Sequence, residues 1–92
     1  MKNVRLYRIC TEDVGADRTR EIIGRHFDGF TLLYGEGFYK GVAEKALVIE
    51  ILGGVDDPTE PARINALCED LKVENHQEAV LVEVLESANY LI

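Results

Sequence analysis

The stretch YGEGFYKGVAEKALVIEI, residues 34 to 51, decides how the chain is read. Its second half, continued as KALVIEIL over 45–52, alternates so that Leu47, Ile49 and Ile51 point one way and Ala46, Val48, Glu50 and Leu52 the other. This period of two, in β-branched and apolar residues, predicts a strand. Its first half holds Gly35, Gly37 and Gly41 around two aromatics and a lysine. Glycine permits backbone conformations closed to other residues, so GEGFYKG reads either as a loop that cradles a ligand or as a twisted or bulged hairpin into the strand.

The same two patterns organise the rest. NVRLYRIC, 3–10, is a strand with Val4, Leu6, Arg8 and Cys10 on one face and Arg5, Tyr7 and Ile9 on the other. After the TEDVGAD loop, Asp17 is placed to cap a helix running to about Phe27, with Ile22, Ile23, His26 and Phe27 on one side. Gly24 weakens that helix, which suggests a strand passing close beneath. FTLLY, 30–34, is a second strand; GGVDDPTEP is a turn into a second helix, with Asp57 or Thr59 as N-cap and a proline in the first turn. Ile64, Leu67, Cys68 and Leu71 then recur at helical spacing, and AVLVEVL, 79–85, is the last strand. The order β-α-β-β-α-β predicts an α+β ferredoxin-like sandwich, a four-stranded antiparallel sheet with two helices on one face, in a single domain over 1–92.

That arrangement assigns Tyr7, Ile9, Leu47, Ile49, Ile51, Val80, Val82 and Val84 to the helix-covered face. The opposite face carries Val4, Leu6, Arg8, Cys10, Val48, Glu50, Leu52, Leu81, Glu83 and Leu85, too many apolar groups to stay wet. A homo-oligomer joined through this face is the expectation. With strand order 4-1-3-2, Arg8 falls between Glu50 and Glu83, which reads as a charge network setting the interface or as part of a site.

Of 92 residues, 10 are Lys or Arg and 17 Asp or Glu, a net charge of −7. This disfavours a nucleic-acid duplex as partner. The charge is uneven: residues 1–45 hold eight basic and seven acidic side chains, and residues 46–92 hold two and ten. A small anionic ligand therefore belongs with the first half and a basic partner with the second. No run is long enough for a membrane span, and the first residues do not read as a signal peptide. A cytoplasmic protein without a membrane is expected. Cys10 and Cys68 read as reduced and partly buried, and with two histidines they make no metal site.

Two stretches are candidate ligand sites. Arg18 and Arg20, with Thr19 between them, fall in the first turn of a helix, where positive side chains are unfavourable unless an anion binds or Asp13, Asp17 and Glu21 pair with them. Phe38, Tyr39 and Lys40 could stack on and neutralise a flat anion. His26 reads as a satisfied core or interface histidine and His76 as a loop residue. No catalytic triad, metal set or cofactor motif can be assembled.

LYRICTED, FDGFTLLYGEGFYKG and EKALVIEI together resemble a small group of uncharacterised bacterial and phage proteins with ferredoxin-like folds, over about the first half of the chain. More distantly, LVIEIL followed by DDPTEPARINAL looks like the third strand and second helix of the PII-like signalling proteins. That resemblance implies a trimer with nucleotides held between subunits. The long nucleotide-gripping loop of that family is replaced here by a tight glycine hairpin, and its basic segment before the last strand by the acidic KVENHQE. The expected function is non-enzymatic binding or sequestration of an anionic nucleotide-type signal at a subunit boundary. The alternatives are an acidic interaction module using Glu69, Asp70, Glu74 and Glu78, and a dimeric ferredoxin-like enzyme using Tyr7, His26 or Glu50.

Overall fold

The computed structural model describes residues 2–54 and 56–92, with the backbone alone at Lys2. The elements are β1 (Lys2–Glu12), α1 (Ala16–Gly24), β2 (Thr31–Tyr39), β3 (Val42–Gly54), α2 (Glu60–Glu74) and β4 (Leu81–Asn89). They form one sheet in the order β2-β3-β1-β4, every pair antiparallel. This is the ferredoxin-like arrangement, with the two helices on one face.

Alternation along the central strands builds the core. Tyr7 and Ile9 of β1 and Ile49 and Ile51 of β3 pack under Ile22, Ile23 and Phe27 on one side and Ile64, Leu67, Cys68 and Leu71 of α2 on the other. Each fully buried side chain of this size stabilises the fold by about 1.5–3 kcal/mol. Val80 and Val82 pack against the core as expected, but Val84, on the edge strand opposite the buried Tyr7, is exposed.

The helix ends differ in detail from the sequence reading. Gly15, not Asp17, is the N-cap of α1, and its φ of 144° is one glycine suits. Asp17 lies in the first turn and pairs with Arg20. The helix stops at Gly24, and Arg25 to Phe27 continue as turns bonded to Ile22 and Ile23. Nothing lies within 4 Å of a side chain built at Gly24, so no strand approaches it. Thr59 is the N-cap position of α2, and Asp57 Oδ1 accepts from both the Thr59 N–H (2.9 Å) and its hydroxyl (2.7 Å). These bonds hold the Asp57 carboxyl below the usual range. Val55, in the turn expected there, lies outside the described residues. At the other end of α2, His76 has φ 55°, and Gln77 N–H bonds back to Lys72, a Schellman closure.

The largest differences are in strand length. β2 runs on to Tyr39 and β3 begins at Val42, so Gly35 and Gly37 are strand residues and the chain reverses only at Lys40–Gly41. β4 begins two residues later than expected and continues to Asn89.

A buried carboxylate locks β3 to α2. Glu60 is almost fully buried, its Oε2 accepts from Gly54 N–H (3.2 Å), and a side chain at Gly53 would collide with it. Gly53→Ala should therefore push the Glu60 carboxylate off Gly54 N–H and lower the melting temperature by the loss of that bond, whereas Gly35→Ala, with free space around it, should change it less; equal effects would contradict this packing. Asp57→Ala should destabilise near neutral pH. Because the folded carboxyl titrates below its unfolded value, that contribution is lost as pH falls through the folded pKa, so the difference between variant and parent should vanish in melts well below about pH 4.

Candidate functional site

The uncovered sheet face places the charges where the strand register requires. Arg8 of β1 lies opposite Glu50 of β3 and opposite Glu83 of β4. Arg8 donates from Nε (3.2 Å) and Nη2 (3.0 Å), both to Glu50 Oε2, with the two side chains 37% and 25% exposed. No partner bonds Glu50 Oε1, and Glu83 forms no ion pair, among the described residues. An ion pair this open to water contributes at most about 1 kcal/mol. It orients charge more than it stabilises the monomer.

Around it, Leu6, Cys10 and Val48 are half-buried, and Leu33, Leu52, Leu81 and Leu85 are exposed, Leu52 at 63%. One end of the face is partly closed. Val4 is only 6% exposed, and it lines a hollow of about 750 Å³ with Leu52, Asn89, Tyr90 and Leu91. The apolar tail after β4 thus leaves the sheet beside the uncovered face.

At the opposite end lies a larger open groove of about 960 Å³. Cys10 forms part of its floor and Tyr39 part of its wall, while Glu12, Glu44, Glu78 and Lys45 supply its charge. Three carboxylates against one ammonium make this groove net acidic. The Thr11 hydroxyl donates to the Gln77 side chain, tying the end of β1 to the segment before β4 and fixing the groove.

The expected ligand residues fall in separate places. Arg18 is exposed and forms no ion pair among the described residues. Arg20 pairs with Asp17 and donates to the Tyr34 hydroxyl at 3.3 Å. Thr19 faces inward: it is fully buried, and its hydroxyl accepts from Asn75 Nδ2 at 3.5 Å between the helices, so it does not reach the surface where a ligand would sit. Phe38 and Tyr39 are consecutive strand residues and point to opposite faces of the hairpin. They do not form one wall. Lys40 stands at the tip, its Nζ 5.5 Å from the Tyr39 ring. Lys40 lies six steps along the chain from Tyr34, about 20 Å at the usual rise, so the tip and the Arg20 end of α1 are distinct locations on one chain.

His26 meets the expectation of a satisfied histidine: Nε2 lies 2.6 Å from Asp70 Oδ2 on α2, and Arg63 donates to the His26 carbonyl at 2.7 Å. Both cysteines are free; burial pushes the Cys68 thiol up, which makes it a poor nucleophile. No group of three or more metal-binding side chains occurs among the described residues. No described helix is long and apolar enough to cross a membrane. Sequence reasoning missed the groove because its walls come from β1, β2, β3 and the segment leading into β4, four stretches separated in the chain.

No protein-family model matches the chain, and no curated protein matches it in sequence. Solved structures do match in fold. A phage SAM lyase in its apo state superposes with a TM-score of 0.75 at 22% identity, covering 91% of this chain and 81% of that one. A phage SAM lyase in complex with S-methyl-5'-thioadenosine gives 0.74 at 20% identity, covering 94% and 83%. CPII, a nitrogen regulatory PII-like protein from Thiomonas intermedia K12 bound to ADP, AMP and bicarbonate, gives 0.62 at 12% identity and 97% of both chains. At these identities the likeness is one of fold. The resemblance to PII-like signalling proteins holds at that level.

The turn at the hairpin tip yields a direct prediction. Lys40 has φ 50° and Gly41 φ 79°, the pattern of a type I′ two-residue turn. Gly41→Ala should destabilise the protein by about 1 kcal/mol, and Lys40→Asn should be neutral or stabilising in the same denaturant titration. A loss of stability from Lys40→Asn would contradict this turn.

Proposed function

We propose that the chain works as a homo-oligomer that binds an adenosine-containing small molecule at the boundary between copies. The observation that carries this reading is an apolar sheet face left without cover beside a groove of ligand size. It draws support from the two kinds of neighbour whose bound molecules, S-methyl-5'-thioadenosine and the adenine nucleotides ADP and AMP, share the adenosine group. Tyr39, on the groove wall, is the aromatic placed to stack on the base.

The finer reading is that the ligand is an anionic nucleotide-type signal and that the protein holds it without turnover. Arg18 and Lys40 form no ion pair among the described residues and so can meet a phosphate brought to a boundary. Arg20 joins them by exchanging its Asp17 contact. Phe38, on the far side of the hairpin, would contact the ligand only through a neighbouring copy.

A second reading has its own observation. The groove carries Glu12, Glu44 and Glu78 against Lys45, and Glu50 keeps one carboxylate oxygen free on the adjoining face. This charge suits a neutral or cationic adenosine derivative, such as a sulfonium, better than a phosphate. It favours an enzyme of the type of the phage SAM lyases, with Glu50 facing the positive sulfur.

Thermal melts with AMP, ADP, S-methyl-5'-thioadenosine and S-adenosylmethionine separate the readings. A ligand at about 100 times its Kd stabilises by about 2.7 kcal/mol, a shift of several degrees or more for a domain of this size. Shifts with AMP and ADP that fall on Arg18→Ala or Lys40→Ala support the nucleotide reading. Shifts confined to the sulfur compounds, with consumption of S-adenosylmethionine lost on Glu50→Gln, support the lyase reading. No shift with any of the four contradicts adenosine binding.

A further inference from the structure

Two surfaces on this chain lack a cover and match each other. The first is the outer part of the β2–β3 hairpin. β1 pairs with β3 only from Ala46 onward, and Asp13 N–H still bonds the Lys45 carbonyl (3.0 Å), so Glu36 to Glu44 project past the sheet as a two-stranded arm with Lys45 at its base. At its end, Tyr39 and Val42 are paired directly, hence on the same side, both exposed, with Lys40 in the turn between them. The arm thus presents an apolar–cationic–apolar tip. The second surface is the open side of β4, the opposite edge of the sheet. Leu81, Glu83 and Leu85 alternate onto that side and are all exposed, an apolar–anionic–apolar strip.

Within one chain Tyr39 and Leu81 face each other only across the open groove, with β3 and β1 between β2 and β4, so neither surface covers the other. A second copy can. The arm with its base is neutral, Lys40 and Lys45 against Glu36 and Glu44, but its tip carries Lys40 alone, whereas Glu78, Glu83 and Glu86 lie in and just before β4. Among the described residues neither Lys40 nor Glu83 forms an ion pair, and a cation at one edge with an anion at the other favours a head-to-tail contact over like edges meeting.

We infer that the hairpin arm of one copy docks on the open side of β4 of the next, with Tyr39 and Val42 against Leu81 and Leu85 and Lys40 against Glu83. The contact is heterologous, and with a rotation between copies that closes, repeating it makes a ring. It also brings Tyr39 of one copy to the uncovered face of its neighbour, where Arg8 and Glu50 lie. The inference deepens the proposed binding at a boundary between copies and rests on that reading; it adds which surfaces form the boundary.

The test is native mass spectrometry and light scattering of the purified chain with Lys40→Glu, Glu83→Lys, the double exchange, and Leu85→Glu. All three substituted positions are exposed, and circular dichroism checks that each of the four variants is folded. The parent should show a discrete closed oligomer. Each single charge reversal should raise the concentration at which it dissociates about tenfold or more, since like charges brought together at an interface cost several kcal/mol. The double exchange should restore assembly, and Leu85→Glu should abolish it. A monomeric parent, or single reversals that leave assembly unchanged, would overturn the inference. Thermal melts with the four adenosine compounds on the parent, Glu83→Lys and Leu85→Glu, which leave Lys40 in place, keep the two claims apart: an assembly insensitive to these substitutions that still binds ligand refutes the docking surfaces alone, whereas docking as described with no ligand shift in the parent leaves the interface standing and removes the binding reading.

Discussion

The structure depends on one constraint: the two central strands carry apolar residues on both faces, and the described residues form only two helices to cover them. β1 and β3 send Tyr7, Ile9, Ile49 and Ile51 into the helix-covered core. They send Leu6, Val48 and Leu52 the other way, where no element of the same chain lies over most of them. A small domain cannot bury both sides of its sheet with its own surface. The Arg8–Glu50 pair belongs to that uncovered side. It contributes little in water, but in a covered setting it fixes register and excludes wrong partners.

Period-two alternation made much of the fold legible. The element order, the sheet order and the placement of Arg8 between Glu50 and Glu83 all follow from which residues share a face, and the register bears them out. What alternation could not supply was where strands stop. Glycine in YGEGFYKG reads as a break, yet a strand tolerates Gly35 and Gly37 when a neighbouring strand supplies its hydrogen bonds, and only Gly41 needs its unusual backbone. The last strand reads as ending at Leu85, yet pairing with the start of β1 holds the chain extended to Asn89.

The candidate site was less legible, for a related reason. Side-chain type suggests chemistry, but neighbourhood decides it. Thr19 beside two arginines looks like a ligand donor until the helix face turns it inward toward Asn75. Phe38 and Tyr39 look like one aromatic wall until the strand sends them to opposite sides. The acidic groove at the end of β1 gathers residues from four separate stretches, so no motif announces it. Its charge bears on function more than any single side chain: a net basic chain half can still frame a net acidic groove.

The central claim is that the uncovered sheet face is closed by another copy of the chain. Small-angle X-ray scattering tests it most directly. One chain has a Cα radius of gyration of 13.7 Å and a mass of 10.3 kDa. The account predicts a forward-scattering mass that is a whole multiple of 10.3 kDa, with a radius of gyration well above the single-chain value, at micromolar concentration. A particle with the mass and radius of one chain across that range would contradict it.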